Sequence, residues 1–227
     1  MMLVIHGGSW VFHGRGAVEL SRTTADRWRA RGFQTLSVTL RPCGRSSQAI
    51  GWFYDRARAA LGPSKKICAA GVSAGANLAL LLATWRGDVY CVISEEGPTD
   101  LTTIQTQGAY DPKTNALTQV NGGRWIRNLA AAAFGAENLV GFSPAANAAG
   151  PLSRTRVLQG FPANDALVPW GQATELRAAM LAANPAAYID TVRLPAGDVK
   201  FGHGVATQAS LDDFHAREVA LVAPIPG

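Results

Sequence analysis

Residues 67–85 read ICAAGVSAGANLALLLATW, and this stretch decides the fold of the chain. The segment 67–71 is short and apolar, which is typical of a buried strand, and the leucine-rich segment after Ser73 has the pattern of a helix. The motif Gly71-Val72-Ser73-Ala74-Gly75 lies between them and has a glycine on each side of the turn. The pattern predicts that Ser73 is a nucleophile at a strained strand-to-helix turn. A turn in which Ser73 only caps the helix is the alternative.

A second glycine-rich turn lies near the N-terminus. His6-Gly7-Gly8-Ser9-Trp10 follows the apolar residues 3–6, and its adjacent glycines let backbone N–H groups face a cleft. Such amides stabilise the negative oxygen of a tetrahedral intermediate by roughly 3 kcal/mol per donor. We therefore predict an oxyanion hole that includes Gly7 and Gly8. An ordinary glycine-rich turn is the alternative.

A serine hydroxyl is a poor nucleophile until a base removes its proton, and histidine has a suitable pKa for this task. His203 lies between Gly202 and Gly204, in a loop after the last predicted strand, so its ring is free to reach a cleft. We predict that His203 is the base, and a surface-loop histidine is the alternative. The other histidines lie in the glycine-rich turn, just after it and inside the last helical pattern: His6, His13 and His215.

The histidine also needs a carboxylate that orients its ring, placed between the serine and the histidine in the chain. Asp165 follows the carboxyl end of a predicted strand, where sites collect in open parallel sheets. We predict that Asp165 is this acid. Asp100 is the second choice, because it follows the preceding strand, although it also suits a helix cap or a turn. Asp198, near His203, is predicted to be a loop residue.

Apolar segments alternate with helical patterns, which predicts an α/β fold: a mostly parallel sheet of about six strands with helices on both faces. The predicted strands are residues 3–6, 33–40, 67–71, 89–94, 156–160 and 187–194. The alternation stops between about 95 and 153, where one helix is predicted near 125–134. We interpret this segment as a cap or insertion over the active site, within a single domain of residues 1–227.

The composition excludes several classes of function. The 227 residues are 48% hydrophobic and 16% charged, which fits a compact domain. The net charge of +5 is scattered without a basic stripe, so we predict no nucleic-acid partner. No apolar run reaches the roughly 18 residues of a membrane span and no signal peptide is recognisable, so a cytoplasmic protein is expected. The densest arginines, predicted on the solvated face of a helix, are Arg22, Arg27, Arg29 and Arg31.

The chain has three cysteines, Cys43, Cys68 and Cys91, and the last two lie in predicted strands. No CxxC spacing is present, so neither a zinc site nor a thioredoxin-like redox site is expected. We predict that the cysteines are buried free thiols.

The two glycine-rich motifs together carry a family resemblance. His-Gly-Gly-Ser-Trp followed by Gly-Val-Ser-Ala-Gly-Ala-Asn-Leu-Ala resembles the α/β-hydrolases of the hormone-sensitive-lipase-like esterases, and the small feruloyl-esterase-like and kynurenine-formamidase-like hydrolases. The resemblance covers nearly the whole chain, including Asn-Asp-Ala-Leu-Val-Pro at 164–169 and Gly-His-Gly at 202–204. The catalytic triad that it implies is Ser73, Asp165 and His203. The oxyanion-hole amides that it implies are those of Gly8, Ser9 and Ala74.

The sequence departs from the family pattern in three places. Ser9 stands where a third glycine is usual, and Val72 replaces the acidic residue or histidine common before the nucleophile. The chain begins at what would be the family's third strand, so the first two family strands are expected to be missing. That would leave a sheet edge for another element or a second copy of the chain to cover.

These features predict a serine esterase for short acyl chains that needs no metal or organic cofactor. An amide-directed acyl hydrolase such as an arylformamidase, a hydrolase-fold protein that binds a ligand without turnover, and an inactive fragment are the alternatives. Aromatic residues near the catalytic segments are candidates to bind the substrate, and each is equally consistent with core packing: Trp10, Phe12, Trp170 and Phe201.

Overall fold

The computed structural model describes residues 1–12, 15–39, 46–107, 109–110, 117–118, 122–196, 203 and 208–223. The strands are β1 (Met2–Ile5), β2 (Thr35–Val38), β3 (Ile67–Val72), β4 (Val89–Glu95), β5 (Ala109–Tyr110), β6 (Leu117–Thr118), β7 (Arg156–Pro162) and β8 (Ile189–Leu194). The helices are α1 (Arg15–Ala30), α2 (Ser46–Leu61), α3 (Ala74–Trp85), α4 (Gly122–Phe134), α5 (Gly171–Ala183) and α6 (Gln208–Val222).

Six of the strands form one sheet in the order β2-β1-β3-β4-β7-β8, and every neighbouring pair is parallel. This confirms the predicted six-stranded α/β fold. The chain winds outward in one direction from β1 to β2 and in the other from β3 to β8, so the direction changes between β1 and β3. Ligands of open parallel sheets bind in the crevice at such a switch point, outside the carboxyl ends of the strands. Both glycine-rich turns follow these two strands.

Alternate residues of β1 supply two separate hydrophobic cores, as expected for a strand that is covered on both faces. Met2 and Val4 pack with Trp28 of α1 and Phe214 of α6. Leu3 and Ile5 pack on the other face. The helices whose buried residues join that second core are α2, α3, α4 and α5. Helix α3 is buried along its whole length up to residue 83, which explains why its sequence is apolar all round.

The segment between β4 and β7 interrupts the strand-helix alternation as predicted. It holds the two-stranded antiparallel β5–β6 pair, helix α4 and four single-turn 3-10 helices. The predicted helix near 125–134 is confirmed, although it begins earlier, at residue 122. The short helices are Ile104–Thr106, Ala136–Asn138, Ala145–Asn147 and Pro151–Arg154. That this segment acts as a cap stays a prediction.

The prediction of free thiols is wrong for two of the three cysteines. Cys68 and Cys91 form a disulfide. They lie opposite each other on the neighbouring strands β3 and β4, with a Cα–Cα distance of 4.6 Å, which is within the range that a disulfide can bridge. The pairing depends on the register of two strands, which the spacing along the chain does not reveal. Cys43 lies outside the described residues.

The arginines of α1 do not all lie on a solvated face. Arg22 and Arg29 are exposed, but Arg27 and Arg31 turn inward and form ion pairs with the buried Glu218 of α6, at 3.0 and 3.1 Å. Two of the four arginines therefore connect α1 to α6. Within the described ranges, no helix is both long and apolar enough to cross a membrane.

Candidate active site

Ser73 stands at the junction of β3 and α3 in a strained backbone conformation. Its φ of 55° and ψ of −122° lie outside the regions that residues with a side chain normally adopt. Its N–H donates to the Glu95 carbonyl at 2.8 Å, and its carbonyl accepts the N–H groups of Ala76 and Asn77. The hydroxyl makes no capping hydrogen bond to the helix, which argues against the interpretation of Ser73 as a simple cap.

The glycines of this turn are required by close backbone contacts. A Cβ on Gly71 would lie 2.4 Å from the Gly75 carbonyl carbon, and a Cβ on Gly75 would lie 2.3 Å from the carbonyl oxygen of Ile5. Gly7 is also adjacent, since a Cβ there would lie 3.5 Å from the Cβ of Ser73. The turn after β1 therefore packs directly against the nucleophile turn, as an oxyanion hole would require.

The turn after β1 contains three consecutive residues with positive φ: Gly8 at 119°, Ser9 at 51° and Trp10 at 63°. The Gly8 carbonyl accepts hydrogen bonds from the N–H groups of Val11 and Phe12, at 3.2 and 2.8 Å. Ser9 thus adopts a left-handed conformation in place of the usual third glycine. Within the described ranges, the N–H groups of Gly8, Ser9 and Ala74 donate to no protein acceptor, so they are available to a ligand.

Asp165 and His203 form a direct pair. Asp165 lies shortly after β7 and is buried, and its Oδ2 is 2.8 Å from Nδ1 of His203. Its other oxygen, Oδ1, accepts the N–H groups of Leu167 and Val168 at 2.9 and 2.8 Å. Two backbone bonds therefore fix the carboxylate, and the carboxylate in turn fixes the ring, as a triad acid does for its histidine. The structure thus brings together the two residues that chain order paired, and their catalytic roles stay a prediction.

The environment of His203 favours its charged form. Burial lowers the pKa of the ring, but the hydrogen bond that Nδ1 donates to Asp165 and the charges of Asp165 and Glu96 outweigh burial, so the pKa lies above its usual value. Because Nδ1 faces Asp165, Nε2 is the nitrogen left to receive a proton. Among the described residues, no hydrogen bond joins this ring to the Ser73 hydroxyl. Such bonds often tighten only when substrate binds.

Glu96 is a site residue that the sequence analysis missed. It directly follows β4, its side chain is 1% exposed, and its Oε2 is 3.8 Å from Nδ1 of His203. One side-chain atom each from Glu96, Asp165 and His203 lie within 4.8 Å of one another, so the three side chains form one compact cluster. Two adjacent acidic residues right after an apolar strand were the available signal.

The other candidates lie elsewhere. Asp100 Oδ1 accepts hydrogen bonds from the N–H and hydroxyl groups of Thr102, so it forms a turn and has no contact with His203 among the described residues. His6 is buried at the end of β1, and His215 lies in α6. Two residues fall outside the described ranges, His13 and Asp198.

Comparison with known proteins identifies the fold of the chain. No family model matches the chain, and no curated protein matches its sequence. A truncated carbohydrate esterase from gut microbiota matches in structure with a TM-score of 0.68 at 18% identity, over 97% of this chain and 85% of that one. A hormone-sensitive lipase from a metagenome library matches with a TM-score of 0.72 at 16% identity, over 99% of this chain and 78% of that one. The chain has the α/β-hydrolase fold.

The same hydrolase fold includes larger proteins. An acylaminoacyl peptidase from Pyrococcus horikoshii matches with a TM-score of 0.58 at 15% identity, over 85% of this chain and 32% of that one. The chain therefore spans about a third of that peptidase. At these identities the likeness defines the fold, and the chemistry has to be argued from the site itself.

The aromatic candidates fall in different parts of this fold. The side chain of Trp10 is buried, 1% exposed, and donates to Asn77 beneath the turn, which is the core packing that the sequence left open as the alternative. A role for Trp10 in binding substrate stays a prediction. Phe12, by contrast, is 56% exposed. Trp170 is partly buried and packs edge-on against Phe161, with the Arg193 guanidinium 5.8 Å from its ring centre. Phe201 lies outside the described residues.

Proposed function

We propose that this chain is a serine hydrolase that cleaves carboxylic esters through an acyl-enzyme. The observation that carries the proposal is the hydrogen bond of 2.8 Å between buried Asp165 and Nδ1 of His203, which makes Nε2 the ring nitrogen that can take a proton from the serine. The strained Ser73 turn and Asp165 both lie at the carboxyl ends of the parallel strands, because Ser73 follows β3 and Asp165 follows β7, two positions away in the sheet. A carboxylate, an imidazole and a serine whose hydroxyl does not cap the helix are the components of nucleophilic acyl transfer.

The reaction follows from these roles. Ser73 Oγ attacks the acyl carbon while His203 Nε2 takes the hydroxyl proton, and the carbonyl electron pair moves onto the oxygen. The resulting oxyanion accepts hydrogen bonds in the hole predicted around Gly7, from the amides of Gly8, Ser9 and Ala74. The bond to the alcohol then breaks, and His203 gives its proton to the leaving oxygen.

Water completes the cycle. His203 takes a proton from water as the water oxygen attacks the acyl-serine, and the proton returns to Ser73 Oγ when the acid leaves. None of these steps needs a metal or an organic cofactor, and we propose that the reaction uses neither. A short acyl group is the proposed substrate. Trp10 fills the space beneath the oxyanion turn and is not available to contact a long chain.

The decisive experiment is labelling with a fluorophosphonate probe. We expect the native chain to be labelled and to hydrolyse p-nitrophenyl acetate, and Ser73→Ala to lose both properties. Ser153→Ala is the matched control, because its hydroxyl donates to the Gly150 carbonyl, has no contact with Asp165 or His203 among the described residues, and its loss should leave labelling unchanged. A native chain that is not labelled would favour a hydrolase-fold protein that binds its ligand without turnover, or an inactive fragment.

An amide-directed activity is the second candidate, because a peptidase shares the fold. The same acyl-enzyme would form, with an amine as the leaving group. Parallel assays of an aryl ester and a formanilide distinguish the two. Faster turnover of the ester supports the first proposal, and a preference for acetate over decanoate esters supports the short acyl pocket.

The open edge of the sheet supports a further proposal about assembly. Strand β2 has a partner on one side only among the described residues, and its Thr35 to Ser37 are half-buried. Unpaired strand edges are available for another chain. We propose that a second copy pairs here, and light scattering of the purified chain would show a dimer or exclude it.

A further inference from the structure

The ring of His203 faces two carboxylates, and the proposed mechanism uses one of them. Asp165 Oδ2 lies 2.8 Å from Nδ1, and Glu96 Oε2 lies 3.8 Å from the same nitrogen. Both carboxylates are shielded from solvent, with side-chain exposures of 0% and 1%. Water therefore screens neither charge effectively, and each acts on the ring at close range.

The backbone holds Glu96 at this position against a conformational preference. Its φ is 55°, which residues with a side chain adopt rarely and at a cost. A hydrogen bond of 2.8 Å from its N–H to the Gly160 carbonyl ties it to β7. The carbonyl of the preceding residue, Glu95, accepts the N–H of Ser73. Residues 95–96 thus connect the nucleophile turn with the strand that carries Asp165.

The two adjacent glutamates face different partners. Glu95 lies 3.7 Å from Arg27 of α1 and near Glu218 of α6, while Glu96 faces His203 and Asp165. Only the second of the pair lies against the ring. A strained backbone that aims a buried carboxylate at the base, next to the turn that presents the serine, is what a positioning group requires.

We propose that Glu96 is a positioning residue. The carboxylates of Glu96 and Asp165 together hold the Nδ1 edge of the His203 ring, so that Nε2 faces Ser73. The proposal rests on the function proposed above. The second negative charge also stabilises the imidazolium that forms while the acyl-enzyme is made and broken. Asp165 supplies the hydrogen bond and Glu96 supplies charge.

Proton NMR of the histidine ring tests this without any substrate. The chain has four histidines, and His203→Gln identifies the signal of interest. We expect Glu96→Gln to lower the pKa of His203 by roughly one unit, because it removes a charge and keeps the shape. Glu96→Asp keeps the charge and should restore most of the shift. Glu175→Gln is the control, since that half-buried carboxylate bonds Thr103 and Gln172.

Kinetics supplies the second measurement. In Glu96→Gln the acidic limb of kcat/KM should move to lower pH by the same amount, and kcat should fall about tenfold with little change in KM. A merely structural role predicts that the isosteric Gln is tolerated better than Asp and that the limb does not move. An unchanged His203 titration in Glu96→Gln overturns the proposal, whereas a native chain that resists the fluorophosphonate overturns the hydrolase function instead.

Discussion

The indole nitrogen of Trp10 donates a hydrogen bond to the side-chain oxygen of Asn77 at 3.1 Å. This bond joins the turn after β1 to the helix that follows the nucleophile. The amide nitrogen of Asn77 donates in turn to the carbonyls of Pro98 and Phe142, at 2.9 and 3.2 Å. One fully buried side chain therefore connects the turn after β1, the loop after β4 and the segment between β4 and β7.

Replacing this side chain should loosen all three segments at once. We expect Asn77→Ala to lower the free energy of unfolding by about 3 kcal/mol, because it leaves the Trp10 donor and two carbonyls without their partner. Ester hydrolysis should fall with it, since the oxyanion turn loses its anchor. Urea unfolding and kcat measure the two effects. Asn184→Ala is the control and should cost less than half as much, because its bonds to the Ser153 carbonyl and from the Ala186 N–H are partly or fully exposed.

The choice between two aspartates can be tested directly. Asp165→Asn should reduce kcat by about 10³ to 10⁴, because the amide no longer fixes the tautomer and charge of His203. Asp100→Asn should leave kcat within about twofold, since Asp100 Oδ1 supports the turn by accepting hydrogen bonds from Thr102 and Thr103. Steady-state kinetics on p-nitrophenyl acetate compares the two variants. Equal losses in both would contradict the assignment of the acid.

Local patterns in the sequence were enough for the sheet and for the Asp165–His203 pair. The strained turn around Ser73 follows from its flanking glycines, and the proposed acid and base follow from strand ends and chain order. Glu96 was missed because a carboxylate after a strand looks like an exposed loop residue until its burial is known. The disulfide and the inward arginines were missed for a related reason, since both depend on the packing of distant segments.

The position of Trp10 also could not be predicted from the sequence. Its place beside the oxyanion turn suggested a pocket residue, and an aromatic ring next to two glycines fits either role. The positive φ of Ser9 and Trp10 turns the chain so that the indole points into the core. Sequence gives the type of side chain near the site, and the backbone conformation decides on which side of the turn that side chain lies.

Glu95 should make the fold less stable as the pH rises from 4.5 to about 7. Burial and the nearby Glu218 carboxylate raise the pKa of Glu95 to about 7, although Arg27 lowers it. The folded chain keeps this proton up to that pH, while the unfolded chain releases it above the usual value of 4.5. The stability contributed by the bound proton is present at low pH and is lost as the pH rises through this window.

The corresponding variant is Glu95→Gln, which cannot ionise. At pH 8 its free energy of unfolding should exceed that of the native chain by up to about 3 kcal/mol, and the difference should shrink toward pH 5. Urea unfolding at both pH values measures this. A difference that stays constant with pH would show that Glu95 does not titrate in this range.

His215, in the same charged cluster, should act in the opposite direction. Burial and the charges of Arg27 and Arg31 lower the pKa of His215 to about 4. The unfolded chain takes up a proton below the usual 6.5 and the folded chain does not, so this group costs stability as the pH falls from 6.5 toward 4. We expect His215→Gln to gain stability over the native chain at pH 5 and to show little gain at pH 8. The ring is partly exposed, so the effect should be smaller than that of Glu95→Gln. Thermal unfolding at the two pH values measures it, and a larger gain at pH 8 than at pH 5 would contradict the assigned direction.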